Sequence, residues 1–471
     1  MIDLDLGPLA EIVGGELVDP ADARRVVSAV TIDSRTVPEG ALFVALPGEH
    51  ADGHDFVADA AARGAAGALV AAGRPLPDVP GLVVVDDPAD ALLGLGVWLR
   101  ETVDPVVVAI TGSNGKTTTK DLTAAAVGAG RRTVANVGSY NNELGVPLTC
   151  CRLEADTEVL IVEIGARGLG HIAALAQPLA PDVAIVTTVG PSHLELLGDI
   201  GTVARAKAEL VAALGPDGTA ILNADDPRVA AMAADAPGRV VTYGVEHDAD
   251  WRAVDVRVDA LARPIFRVRR GGETVEVRVP LPGAHNIGNA LAALAAADVC
   301  GVPPAIAAAG LADAAVSHWR MEVGRTPDGV TVLNDAYNAN PASMRAALDT
   351  LAAVTTDGRR WAVLGEMAEL GAGSQAAHAE VGAHAAAVGV DGLVVVGDRA
   401  APLARAAAAA PRPPQEVVAV ADPQAAVAAL RERLRPGDVV LVKASRAAGL
   451  ERVAAALTAG AGPRRAAGGR A

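Results

Sequence analysis

The period of the apolar positions changes along the chain. Uncharged apolar runs at 106–111, 159–164, 183–188, 219–223 and 240–243 alternate with helical patterns. A strand covered on both faces reads as a continuous apolar run, whereas a half-exposed strand alternates. The runs therefore predict buried parallel strands, and their alternation with helices predicts a doubly wound α/β sheet. Between 251 and 282 the period becomes two, in V-D-V-R-V, F-R-V-R-R and V-E-V-R-V, with Gly271-Gly272 between the last two. That pattern predicts an antiparallel hairpin, set into the α/β unit as an insertion. The Ala-rich stretch 290–316 contains Asp298, Asp313 and Pro303-Pro304, so it reads as two core helices and not as a membrane span.

On either side lie two smaller α/β patterns. Residues 1–104 predict short strands at 30–32, 42–45, 68–70 and 82–85 and a helix at 56–64. The segment between them is dense in Gly, Pro and short polar residues, and reads as a surface loop containing Arg35, His50 and His54. Residues 317–458 predict strands at 330–334, 361–365, 393–397 and 438–442, and the first, second and fourth end in polar clusters: NDAYNANPAS, GEMAELG and KASR. Three domains suit 471 residues at ~150 per domain. The tail 459–471, with PRRAAGGRA, is expected to be disordered.

The richest local signal follows the first central run. Val106–Thr111 leads into Gly112-Ser113-Asn114-Gly115-Lys116-Thr117-Thr118, and a helix is predicted over 119–128. Glycines allow a tight turn against a bound group. Backbone N–H groups and the positive helix end then cradle oligophosphate, Lys116 adds a point charge, and the Thr117 hydroxyl suits Mg²⁺. The general phosphate-loop pattern wants Gly where Ile110 stands, so TGSNGKTTTK is a narrower variant.

Composition narrows the choice of partners. The net charge of -16 and a pI near 5.0 exclude a nucleic-acid or anionic-membrane surface, which needs clustered Lys and Arg. Cys150, Cys151 and Cys300 have no metal spacing and suit a reducing compartment. The acidic N-terminus is no signal peptide. Of 40 basic residues only Lys116, Lys120, Lys207 and Lys443 are lysine. Two lie in or beside the phosphate loop, which makes the other two candidates for chemistry that requires an amine.

Ligands of doubly wound sheets sit outside the carboxyl ends of the strands. Glu163 ends one strand. A buried acid there costs several kcal/mol unless it is paired or binds a cation. Helix capping is one reading, but beside the phosphate loop a Mg²⁺ site built from Thr117, Glu163 and phosphate oxygens is the better one. His193, near the next strand end, is a packed histidine or a ligand. Lys207 starts a helix beyond it. Asn286 and Asn289 share one face at a helix entry, as a cap or a binding pair.

TGSNGKTTTK, NNELGVP, EIGARGLGHI, GPSHLE, ARAK and GAHNIGNALAA together resemble the central domain of the Mur ligases. The likeness extends through all three domains. DSRTVPEGALFVALPG and DGHDF resemble the UDP-binding domain of the later members, and DAYNANPASM with GEMAELG resembles the branch that adds D-alanyl-D-alanine. A sibling branch adding the third stem-peptide residue is the alternative. Its Asp-Asn-Pro-Arg-like motif belongs in the C-terminal domain, whereas Asp225-Asp226-Pro227-Arg228 lies in the central one. The chain departs from the family at Ala444, where relatives usually have Gly.

The resemblance implies a small UDP-binding domain (1–104), a central P-loop ATPase domain with the antiparallel insertion (105–316) and a Rossmann-like C-terminal domain (317–458). It implies a cytoplasmic, monomeric enzyme using ATP and two Mg²⁺ to join D-Ala-D-Ala to UDP-MurNAc-tripeptide through an acyl phosphate. Gly112 to Thr118, Asn286, Asn289, Arg320 and Asp335 are the implied ATP contacts. Thr117, Glu163, His193 and Lys207 are the implied metal ligands. Asp33, Ser34 and Arg35 are implied at the UDP end. Asn338, Asn340, Lys443, Ser445 and Arg446 are implied on the dipeptide and acyl-phosphate side. Lys207 is expected to carry a carbamate, a hard oxygen ligand that arginine cannot form; an ammonium paired with Glu209 is the other reading.

Overall fold

The computed structural model describes residues 1–48, 51–191 and 198–459. Beyond a two-stranded antiparallel pair, Leu4–Asp5 with Val26–Val27, three larger sheets follow one another along the described chain. The first has five strands, with Ala29–Thr31, Ala41–Val44, Gly67–Ala71 and Leu82–Val85 running parallel and Glu16–Leu17 antiparallel at the far edge. Helix Pro88–Val103 closes this unit. The Asp87 carboxylate accepts from the Ala89 and Asp90 N–H groups, Pro88 takes the first turn, and the left-handed Asp104 ends the helix. Gly96 lets it lie close on helix Gly145–Cys150: a Cβ there would stand 3.1 Å from Pro147. The adjacent cysteines straddle that junction, Cys150 in the central core and Cys151 in the first-domain core.

The central sheet has nine strands. Val106–Thr111 lies between Val159–Glu163 and Val183–Val186, all parallel. Its continuous apolar run has a direct cause. Val108 and Ile110 enter one core, with helices Lys116–Gly128 and Asn286–Val299. Val107 and Ala109 enter the other, with helices His171–Leu179 and Ile200–Ala212. Helices on both faces make the sheet doubly wound, and the chain crosses from one side of Val106–Thr111 to the other at its carboxyl end.

The hairpin is no separate insertion. Trp251–Val258 pairs parallel with Arg239–Gly244, and Pro264–Arg270 and Glu273–Arg278 follow antiparallel, so it extends the same sheet. Its apolar positions, Trp251, Ala253, Phe266, Val268 and Val277, join the central core. Gly271-Gly272 form the predicted turn. The opposite turn reaches the third domain: Ala262 is buried among Leu333, Met344 and Leu351, and Thr355 N–H donates to Ala260 O at 2.9 Å. Asp225 and Asp226 have local roles. Asp226 caps helix Pro227–Ala231, and Asp225 accepts from Val245, Glu246 and His247.

The third sheet has six strands, in the order Glu322–Arg325, Thr331–Asn334, Val439–Lys443, Arg360–Leu364, Gly392–Val396 and Glu416–Val420. Only Glu322–Arg325 runs antiparallel. Helices cover both faces. The two edge strands escape the sequence pattern because they are short, charged and half-exposed. The carboxyl ends of three inner strands deliver NDAYNANP, GEMAELG and KASR toward the phosphate loop. Among the described residues no helix is long and apolar enough to cross a membrane.

Candidate active site

The phosphate loop is shaped by two glycines and held by its neighbours. Gly112 has φ +146 and Gly115 φ +82. A Cβ on Gly112 would collide with the Thr187 hydroxyl, and one on Gly115 would stand 2.5 Å from Asn289 Oδ1. Ser113 N–H donates to Thr188 O at 2.8 Å, Asn114 N–H to the Thr188 hydroxyl at 3.1 Å, and the Thr187 hydroxyl to Asn114 O at 2.6 Å. Thr118 lines the cavity beside them. Lys116 Nζ donates to Gly112 O at 2.7 Å. Burial in the cleft lowers its pKa against the pull of Glu163, and the Arg320 cation lowers it further. The helix opens at Lys116 itself, three residues earlier than predicted.

Beside the loop stands the Glu163 carboxylate, 1% exposed. Its Oε1 accepts from Asn141 Nδ2 at 2.6 Å. Its Oε2 is buried with no hydrogen-bond partner. It caps no helix. An orphaned carboxylate oxygen in the same cavity lining as Thr117 has the chemistry of a hard cation site. Lys207 is buried, and burial first, then Lys116, pushes its pKa down to about 7. The alternative pairing with Glu209 is not made: Glu209 accepts from the Gly170 and Ala173 N–H groups instead. His193 lies outside the described residues.

Asn286 and Asn289 are not helix caps. Asn286 Nδ2 donates to Pro282 O at 2.8 Å and Asn289 Nδ2 to Asn286 Oδ1 at 2.9 Å, while Asn289 Oδ1 accepts from the Thr119 hydroxyl at 3.2 Å. The pair joins the Ala-rich helix to the phosphate-loop helix at the cavity wall. Lys120 does not face the phosphate side. Its Nζ donates to Asn136 O and Gly138 O, both at 2.8 Å, and pairs with Asp121 at 2.8 Å. It thereby sets the loop that carries Ser139.

The third domain closes the other wall. Arg320 Nη2 lies 3.0 Å from the Thr117 hydroxyl, with its guanidinium 4.0 Å from the Tyr337 ring centre. Its neighbours Trp319 (φ +61) and Met321 (φ +52) are both left-handed, a costly backbone for such side chains. Asp335 Oδ1 accepts from Met321 N–H at 3.2 Å, and its Oδ2 pairs with Lys443 Nζ at 2.5 Å. Asn340 caps helix Pro341–Ala353 and donates to Asn114 Oδ1 at 2.6 Å. Between the walls lies a cavity of about 760 Å³, lined among others by Lys116, Glu163, Arg320, Asp335, Asn338 and Lys443.

Ser445 and Arg446 do not line that cavity. The Ser445 hydroxyl accepts from Ala368 N–H at 2.9 Å, and Arg446 stacks 4.0 Å from the Trp319 ring and pairs with Glu451. Ala444 has no left-handed backbone to strain it; it fits because the facing residue is Gly365, where a Cβ would meet its methyl at 2.8 Å. Asp33 and Arg35 form a two-point pair at 2.8 and 2.7 Å, Ser34 between them. The Arg35 guanidinium holds the Asp33 carboxyl down to about 2. They lie apart from the main cavity, Arg35 on an open depression of about 500 Å³ with Thr36, Pro38 and Arg63. His54 has a local role, accepting from Ala71 N–H. Sequence reasoning missed Ser139, Asn141 and Tyr337 as individuals. Tyr337 and Asn141 lay inside quoted motifs; nothing marked Ser139.

Family models match the chain in three places: the Mur ligase family catalytic domain at 26–88, the Mur ligase middle domain at 110–297 and the Mur ligase, glutamate ligase domain at 319–446. The chain is 45% identical to the UDP-N-acetylmuramoyl-tripeptide–D-alanyl-D-alanine ligase of Mycobacterium tuberculosis (strain ATCC 25618 / H37Rv), with 98% of each chain covered. A crystal structure of MurF from Acinetobacter baumannii superposes with TM-score 0.85 and 28% identity, covering 97% of this chain and 99% of that one. MurF ligase from Thermotoga maritima in complex with ADP gives TM-score 0.77 at 28% identity, over 91% and 96%.

Proposed function

The chain belongs to the Mur ligase family, and from that we propose that it uses ATP to join D-alanyl-D-alanine to UDP-N-acetylmuramoyl-tripeptide. The observation that carries the reading is the contact of two domains around one phosphate loop, Arg320 on Thr117 and Asn340 on Asn114. The NDAYNANP strand end thereby stands against the nucleotide site. Relatives along the whole chain bear the name of this reaction.

The tripeptide's terminal carboxylate attacks the γ-phosphorus of ATP, giving an acyl phosphate and ADP. The dipeptide amine then adds to the acyl carbon, and phosphate leaves from a tetrahedral intermediate. Positioning and charge neutralisation supply most of the catalysis. Lys116 and the loop N–H groups hold the β- and γ-phosphates. Arg320 draws the third domain onto the transferring group. Asn286 and Asn289 serve the adenine side, Asp335 the ribose and phosphate side, and Asn338, Asn340 and Lys443 the acceptor side. Asp33, Ser34 and Arg35 hold the UDP end, so the substrate spans two domains before it reaches the cavity.

The orphaned Glu163 oxygen and the Thr117 hydroxyl fit Mg²⁺, with Lys207 and His193 for a second ion. Bound Mg²⁺ would supply neutralisation of phosphate charge. Lys207, with a pKa near 7, presents enough neutral amine for its nitrogen to bond CO₂ carbon and release one proton, giving a carbamate. Three buried free cysteines suit work in the cytoplasm. The test is incubation with MgATP, UDP-MurNAc-tripeptide and D-Ala-D-Ala with mass detection of the pentapeptide; its absence refutes the reading.

A further inference from the structure

The cavity reaches past the phosphate loop toward the first domain, where Leu93 of helix Pro88–Val103 joins its lining. We propose that Arg167 and Glu143, on this part of the wall, read the side chain of the tripeptide's last residue and select one that carries both a carboxylate and an amine, a diamino diacid; the proposal rests on the ligase reading.

Bonding within the cavity singles out the two residues. Lys116, Glu163, Arg320, Asp335 and Lys443 are each bonded to protein groups, and Glu369 has a partner as well. Glu143 and Arg167 complete the Asp, Glu, Lys and Arg side chains of the lining. Both are exposed, and among the described residues neither makes a hydrogen bond or an ion pair. Water satisfies such charges while the cleft is open. A substrate that covers them strips that water, and opposite charges on the substrate must then replace it.

The backbone on either side of these side chains is fixed. Arg167 lies midway in the loop from strand Val159–Glu163 to helix His171–Leu179. Gly165 N–H donates to Asn141 O at 2.8 Å at one end of that loop, and Gly170 N–H donates to Glu209 at 2.6 Å at the other. Glu143 comes after Asn141, whose side chain holds Glu163. It comes before Gly145, whose N–H donates to Asn142 Oδ1 at 3.0 Å. A carboxylate and a guanidinium are thus carried by the two segments that meet at the strand end of Glu163.

The route of the substrate brings one particular residue there. Its UDP end is held in the first domain, and its terminal carboxylate must reach the γ-phosphate beside Lys116. The residue bearing that carboxylate therefore passes Glu163, and its side chain meets Glu143 and Arg167. A planar guanidinium takes a carboxylate at two points, and Glu143 accepts from an ammonium. A side chain with an amine alone serves Glu143 but buries Arg167 without a counter-charge.

The test uses two UDP-MurNAc-tripeptides, one ending in diaminopimelate and one in lysine, with wild type, Arg167→Gln and Glu143→Gln. Wild type should show a KM about tenfold lower for the diaminopimelate substrate, the scale of one charge-assisted bond. Arg167→Gln should raise that KM to the level of the lysine substrate and leave the lysine KM within about twofold, so that the discrimination disappears. Glu143→Gln should raise both by about tenfold, and KM for ATP and for D-Ala-D-Ala should not follow in either variant. A wild type that takes both tripeptides equally overturns the proposal. So does an Arg167→Gln variant that raises both KM values alike, because Arg167 then reads a group common to the two substrates. Pentapeptide from neither substrate overturns the ligase reading itself.

Discussion

Asp121 Oδ2 accepts from Ser317 N–H at 2.8 Å, joining the phosphate-loop helix to the segment that leads into the third domain. Three residues further on, Arg320 returns to the same helix at Thr117. The phosphate-loop helix therefore grips the interdomain segment at two points, with the left-handed Trp319 between them and the left-handed Met321 directly after the second.

Removal of the first grip should loosen delivery of Arg320. Asp121→Ala is expected to lower kcat and raise the KM for ATP by about tenfold, the scale of one charge-assisted hydrogen bond. Asp121→Asn keeps an acceptor for Ser317 and should retain most of the activity. Steady-state kinetics on both variants checks this, and equal loss in the two would point to the Lys120 pair instead.

Asp335→Ala should impair ATP use far more than binding of the UDP substrate. It removes the partner of Lys443 and the acceptor that fixes Met321 beside Arg320, while Asp33 and Arg35 lie outside the cavity. Loss of one member of a buried pair costs about 3–5 kcal/mol, so the melting temperature should also fall. An unchanged KM for ATP would contradict the shared cleft.

Substitution at Lys207 separates a cation from a carbamate. Lys207→Arg keeps a positive charge and is expected to be nearly inactive, because arginine cannot lose its proton to take up CO₂. Lys207→Ala should regain activity when formate or acetate is added. A fully active arginine variant ends the carbamate reading.

The same lysine predicts a pH dependence of stability. Its folded pKa, about 7, lies below the unfolded value of ~10.4. Between them the unfolded chain binds more protons, so this group's penalty is full below pH 7 and is relieved as pH rises toward 10. The slope is at most about 1.4 kcal/mol per pH unit. Denaturant titrations of the metal-free protein at pH 7 and 9 should show wild type gaining stability relative to Lys207→Met. A constant difference between the two would be evidence against the lowered pKa.

How much of this was legible in the chain depended on how far each residue's role is local. Val106–Thr111 carries both-face burial in its own composition, and Gly112 and Gly115 carry their turn in theirs. The polar strand ends of the third domain were visible because each follows an apolar run. The hairpin was visible as an alternation, but its continuity with the central sheet rests on the pairing of Trp251 with Tyr243, which periodicity does not encode. Ser139 meets Thr117 across 22 positions and Arg320 meets it across 203; neither distance leaves a period or a spacing to read. Ser445 was expected on the dipeptide and acyl-phosphate side, and its hydroxyl instead holds the Ala368 backbone one layer behind the cavity.

The central claim is that this cleft takes a dipeptide as its acceptor. Phosphate release from MgATP and UDP-MurNAc-tripeptide, measured with D-Ala-D-Ala or with a free diamino acid, tests it most directly. The structure predicts release that depends on the dipeptide and matches pentapeptide formed, mole for mole. Release that responds to the free diamino acid and not to the dipeptide would contradict it.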